Sequence, residues 1–129
     1  MNKLLLFFIG WEVLICLQMM VTRFFFSSFC KKEMQSFFRL KIEKIHSIMA
    51  LFQMALLVFG IMTFVLSSSQ NMQDALLKGA LFGFVVYGVY DLTNFAVINN
   101  WSLRLLSVDW AWGCFVSSIM SGFMFWLSK

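Results

Sequence analysis

The sequence predicts an all-α, polytopic membrane protein: a bundle of four transmembrane helices with a short interfacial amphipathic helix between the first two. Composition is the first reason, because 61% of the residues are hydrophobic and only 12% are charged, whereas soluble domains average about 25% charged residues. Length is the second, because each of four apolar stretches reaches the roughly 20 residues that a membrane-spanning helix needs. The 129 residues are the length of one domain, so residues 1–129 are predicted to form a single transmembrane domain.

Short polar or turn-forming clusters bound the predicted spans. The first span contains Glu12, and no small-residue cleavage site follows it, so it is interpreted as an uncleaved span rather than a signal peptide. The second ends at the turn-like SSSQN cluster, and Asp74 is predicted to cap the third. Asn99 and Asn100 are suited to end the third helix, and Ser102 to begin the fourth. The four spans are predicted at about residues 4–26, 45–66, 76–98 and 103–127.

The segment between the first two spans, residues 27–44, is strongly basic. It holds five Lys and Arg residues against two Glu, and its apolar residues recur at roughly helical spacing. This pattern favours a short amphipathic helix lying in the headgroup plane. The alternative is a polar loop with scattered aromatic residues.

The basic residues also predict the orientation of the chain. Seven of the ten Lys and Arg residues fall on the side that holds the first and third loops, and three fall on the other side. By the positive-inside rule, both termini therefore face the outer side and the basic loop faces the cytoplasm. The net charge of +4 reflects this topology, so no nucleic-acid partner is predicted.

Each predicted span carries one strongly polar residue at nearly the same depth. Asp91 and Asp109 lie roughly 9–10 Å below one membrane face, and Gln18 and Gln53 lie at roughly 12 Å. Neighbouring helices sit about 8–10 Å apart, so these side chains can converge if they point into the bundle. Ionisable residues in the hydrocarbon are costly and by default suggest function.

The third span supports such a polar layer through its periodicity. Small residues towards its outer end and polar residues towards its inner end share one stripe, and small residues let helices approach closely. The stripe consists of Gly79, Gly83, Tyr87, Tyr90, Asp91 and Asn94.

Three interpretations of the layer remain open. The first is a structural hydrogen-bond network, the second is a site for a ligand, an ion or a proton, and the third has one Asp facing lipid. Two carboxylates close together do not both ionise easily, so one is expected to be protonated or held by Arg104.

Glu12 forms a second polar site candidate, separate from the layer. It lies roughly 12 Å from the outer face and roughly 10 Å above the aspartates, too far to join them in one metal site. Its expected partners at that depth are Ser117, Ser118 and Ser121.

No catalytic signature accompanies these residues. The sequence shows no His/Cys cluster, no Ser–His pairing and no phosphate-binding loop, and its three cysteines have no ligand spacing. No catalytic residue, metal or cofactor is therefore predicted.

Two motifs carry a family resemblance: YDLTN at residues 90–94 and VDWAWG at residues 108–113. With these motifs the chain resembles the bacterial predicted inner-membrane proteins called domain of unknown function 2177. It has Asn100-Trp101-Ser102 where that family typically has Gly-Trp-Pro, and Asn and Ser serve the same capping chemistry. The resemblance implies a four-span protein of the bacterial inner membrane and implies no activity.

Three classes of function fit these observations. The chain is a small bundle that binds or transports a ligand, an ion or a proton at the Asp91 and Asp109 layer. Alternatively, it is a non-catalytic membrane partner of a lipid-modifying enzyme. An enzyme that uses the two aspartates as acid and base is disfavoured, because no nucleophile accompanies them. Membrane lipids, another membrane protein or a second copy of the chain are the expected partners.

Overall fold

Four long helices make up the described part of the chain in the computed structural model, which covers residues 2–27, 43–99 and 101–129. The helices are α1 (Lys3–Ser27), α2 (Lys44–Gly60), α3 (Met72–Val97) and α4 (Leu103–Leu127). The α2 helix continues through a π-helical turn, Ile61–Val65, and a 3₁₀ turn, Leu66–Ser68. No strand occurs among these residues.

Each helix, α2 taken together with its π-helical and 3₁₀ extension, contains a stretch long and apolar enough to cross a membrane: Lys3–Arg23, Lys44–Ser68, Met72–Val97 and Leu103–Leu127. The predicted fold class, an all-α bundle of four transmembrane helices, is thereby confirmed. The predicted interfacial helix falls almost entirely outside the described residues.

The ends of the helices match the predicted capping chemistry in one case and differ in another. Ser102 caps α4, because its hydroxyl oxygen accepts a hydrogen bond from the backbone N–H of Leu105 at 3.0 Å. The cap of α3 is Asn71, whose side chain accepts from the backbone N–H of Asp74 at 2.8 Å, so the prediction that Asp74 is the cap is wrong. Asp74 instead lies in the first turn of α3, where a carboxylate interacts favourably with the helix dipole. It also pairs with Lys78 at 3.1 Å.

The closest packing in the described residues joins α3 to α4. A Cβ atom placed on Gly83 would collide with the carbonyl oxygen of Gly113, and one on Gly79 would collide with Ser121. Small residues therefore let the two backbones approach each other directly, as in other membrane helix pairs. The Tyr87 ring lies against Gly113, where a Cβ atom would overlap it.

The first two helices pack around this hairpin more loosely. Only 17% of the α1 span is buried, compared with 44% of the α4 span. Trp11 joins α1 to α2 by donating a hydrogen bond from its indole N–H to the carbonyl oxygen of Leu51 at 3.1 Å. The fully buried apolar side chains between the helices include Leu14, Val58, Ile61, Met120 and Met124.

The start of α1, the end of the α2 extension and the end of α4 lie at the same end of the bundle. Lys3, Leu66, Ser67 and Ser128 line one cleft there. Gln18 is fifteen residues further along α1, roughly 22 Å away. The polar layer therefore belongs to the opposite end of the bundle.

Candidate functional site

Asp91 and Asp109 meet where α3 and α4 approach their connecting turn. Asp91 follows Gly83 and Tyr87 at successive four-residue intervals on the buried face of α3, and its side chain is completely buried. Asp109 stands four residues before Gly113 on α4 and is partly exposed. The close approach of the two helices at Gly83 and Gly113 sets these carboxyl groups against each other.

The two carboxyl groups are close enough to interact directly. Neither carboxyl oxygen of Asp91 receives a hydrogen bond from an N–H or O–H group in the part of the chain that the structure describes. A carboxylate only accepts hydrogen bonds, so two carboxyl groups can be joined only when one carries a proton. The geometry is therefore that of a pair suited to hold one proton between two oxygens.

Gln18 links α1 to both helices of the hairpin, one helical turn from this pair. Its side-chain N–H group donates to the hydroxyl oxygen of Tyr87 at 3.1 Å, and its carbonyl oxygen accepts from the indole N–H of Trp112 at 3.1 Å. Because an indole nitrogen only donates, Trp112 fixes which end of the amide faces it and turns the amide nitrogen towards Tyr87. Three helices thus meet in one hydrogen-bonded network beside the aspartates.

Three of the predicted layer residues are not buried with Asp91. Gln53 is exposed on α2, because the buried residues of that helix begin only at Leu57. Tyr90 is 57% exposed, since one residue along a helix turns roughly 100° away from Asp91. Asn94 shares the Asp91 side of α3 but is only half-buried. The prediction that all four helices contribute one residue to a single layer is corrected to three helices.

Glu12 also departs from its expected environment. Its side chain is exposed on α1, whereas the expected serine partners pack against α3. Ser118 donates to the carbonyl oxygen of Leu76 at 2.8 Å, and Ser117 and Ser121 face the glycines of α3. The expected pairing of Glu12 with these serines is therefore wrong, because α4 turns that face towards α3.

Trp112 is a member of the network that the sequence analysis did not select as a site residue. Its signal was present, since it lies three residues after Asp109 within the VDWAWG motif, on the same side of a helix. As for metals, the described residues contain no group of three or more His, Cys, Asp or Glu side chains placed to hold an ion.

Fold and site together define a small polytopic membrane protein with a carboxyl pair, one member of it completely buried, in its α3–α4 hairpin. A family model described as predicted membrane protein (DUF2177) matches residues 3–126, and the chain belongs to this family. The resemblance inferred from the two motifs is thereby confirmed. No curated protein and no solved structure showed significant similarity to the chain.

Proposed function

We propose that the chain is a proton-binding protein of the bacterial inner membrane, and that the Asp91–Asp109 pair is its binding site. The observation that carries the proposal is Asp91, which is completely buried and has both oxygens without a hydrogen-bond donor among the described residues. Intramembrane ionisable residues that face a bundle interior mark ion pathways and proton relays.

A purely structural role explains Asp91 less well. A carboxyl group that locks a bundle is held by donors, and a buried acceptor left without one costs about 1–3 kcal/mol. Gln18, Tyr87 and Trp112 supply such donors in this region, yet their hydrogen bonds join one another and leave Asp91 without a donor. A bound proton would supply the missing donor, because a protonated carboxyl group donates a hydrogen bond to its neighbour.

A proton suits the pair better than a metal ion does. Sodium-sized and larger cations take several oxygen ligands, and divalent cations such as Mg²⁺ and Ca²⁺ take six or more. The described residues bring only two carboxyl groups together here. A proton needs just one donor oxygen and one acceptor oxygen.

Infrared spectroscopy of the protein in lipid bilayers tests this proposal. Wild-type protein is expected to show the carbonyl band of a protonated carboxylic acid at neutral pH, and this band should shift in heavy water. Asp91→Asn should remove the band, whereas Asp109→Asn should shift it, because a lone buried carboxyl group stays protonated. The spectra are recorded in a Glu12→Gln background, so that the other intramembrane carboxyl group does not contribute.

Asp74→Asn is the matched control, because Asp74 is an aspartate at the start of α3 that pairs with Lys78. It should leave the band unchanged. A band that persists unchanged in both Asp91→Asn and Asp109→Asn would overturn the proposal. A band that disappears on replacing choline with sodium in the buffer would show that a small cation displaces the proton at the same pair.

The orientation of the chain gives a second prediction. Reporter fusions after Ser69 and after Lys129 are expected to report the outer side, because seven basic residues lie on the opposite side and three on this one. The common cleft of Lys3, Ser67 and Ser128 supports placing both positions at one membrane face. A cytoplasmic signal from either fusion would contradict this orientation.

A further inference from the structure

Glu12 is an ionisable residue near the middle of a membrane span, and no described part of its own bundle covers it. Residue 15 is the middle of α1, Lys3–Ser27, so Glu12 lies within roughly 5 Å of the midplane along the helix. Its side chain is exposed. Ionisable side chains at this depth almost always face protein or water rather than lipid, so a monomer leaves Glu12 in an unfavourable place.

The surface around Glu12 is a continuous apolar stripe along α1. Its members recur every three or four residues and are exposed: Leu5, Phe8, Cys16 and Met19 flank Glu12. The α1 span is also the least buried of the four, with 17% of its length covered. One face of one helix therefore presents a single carboxyl group within an otherwise apolar strip.

We propose that this face of α1 packs against the same face of a second copy of the chain, with the two Glu12 carboxyl groups hydrogen-bonded to each other inside the bilayer. A carboxyl group is complementary to itself, because its protonated form donates and its oxygens accept. A two-fold axis places each residue opposite its own copy. No other exposed polar group is then needed to satisfy Glu12.

The chemistry of the strip favours a second copy over a different membrane protein. A partner that paired with Glu12 through Lys or Arg would have to insert its own charge at this depth before the two proteins met, a cost that an uncharged, protonated carboxyl group does not carry. In the proposed dimer, each copy covers the Glu12 side chain of the other and so removes it from lipid. The Asp91–Asp109 pair lies in the α3–α4 hairpin and takes no part in this contact.

Disulfide cross-linking in native membranes tests the dimer, since Cys16 lies on the same face one turn from Glu12 and is exposed. The parent variant carries Cys30→Ser and Cys114→Ser, so that Cys16 is the only thiol. Oxidation is expected to give a disulfide-linked dimer of this chain on non-reducing gels. The interface is mapped further in a chain without native cysteines, by placing a cysteine at Met19 or at Met20.

The two methionines form a matched pair, because they are adjacent and both exposed, at 54% and 69%. Met19 lies in line with Glu12, whereas Met20 is turned roughly 80° away. Met19→Cys is therefore expected to cross-link and Met20→Cys to remain monomeric. Equal cross-linking at both positions would indicate random collision and would overturn the proposed face.

Substitution of Glu12 itself tests the role of the carboxyl group. Glu12→Leu is expected to lose the Cys16 cross-link, whereas Glu12→Gln, which keeps a donor and an acceptor, should retain it. Because Glu12 is exposed, both variants should reach wild-type abundance in the membrane, and immunoblotting checks this. A cross-link that survives Glu12→Leu, or one that joins Cys16 to a different protein, would overturn the proposal.

Discussion

Gly83→Ala is expected to force α3 and α4 apart and to lower the free energy of unfolding by about 1–3 kcal/mol, the usual cost of overpacking a core. The new methyl group would collide with the carbonyl oxygen of Gly113 and approach the Ser117 side chain at 2.7 Å. A backbone atom cannot turn aside as a flexible side chain can, so the whole helix pair must separate. Unfolding of the purified protein in mixed detergent micelles measures the change.

Gly122→Ala is the matched control, because it adds the same methyl group to α4 and gains the same helix propensity, about 1 kcal/mol. There the nearest atom is the Cδ2 end of Leu76, at 2.6 Å, which can rotate away. Gly122→Ala is therefore expected to be neutral or stabilising. Equal losses in Gly83→Ala and Gly122→Ala would show that the close approach at Gly83 is not what holds the hairpin together.

The expected separation of α3 and α4 in Gly83→Ala would also change the candidate site. The same approach that brings Gly83 to Gly113 also lays the Tyr87 ring on Gly113. Tyr87 in turn accepts the hydrogen bond from Gln18, so a wider hairpin would also weaken the attachment of α1. The glycines therefore position the carboxyl pair as well as stabilise the fold.

Helical periodicity was sufficient to predict the buried face of α3. Gly79, Gly83, Tyr87 and Asp91 were placed on one stripe from their spacing, and all four are buried. This stripe is readable because its small residues indicate the packed side independently of its polar ones. The same reasoning is wrong for Tyr90, whose helical spacing also predicts the stripe but which is exposed, because the buried face follows the four-residue steps from Gly79 to Asp91.

The rotation of α1 and α2 about their axes could not be read from the sequence. Depth along a helix follows from residue counting, and Gln18 hydrogen-bonds to Tyr87, one helical turn from Asp91. The direction in which a lone polar side chain points depends on which apolar residues of the same helix are packed, here Leu14 and Val58. Many rotations of an apolar helix about its axis would bury a similar set of apolar residues, so the sequence does not select one. Depth alone predicts that Gln53 and Glu12 point into the bundle. In the structure both side chains are exposed.

Asp91→Asn is expected to leave the fold intact and to raise its stability at alkaline pH, by about 0.6 kcal/mol on average for an interhelical hydrogen bond in a membrane and at most about 1.7. The asparagine side chain carries its own N–H donors, so it can donate to the Asp109 carboxylate without a bound proton. The remaining charge then sits on the partly exposed residue. The gain should be largest at alkaline pH, where the wild-type pair has lost its proton and two carboxylates repel.

Asp109→Asn distinguishes this account from a general benefit of removing charge. At alkaline pH it forms the same amide–carboxylate contact but leaves the charge on Asp91, which is completely buried, so it is expected to be less stable than Asp91→Asn. Unfolding in mixed micelles across a pH series measures both variants against wild type, and Asp91→Asn should show the weaker dependence on pH. If both variants instead misassemble and aggregate at the normal expression temperature, the pair is a folding element and proton binding at this site is refuted.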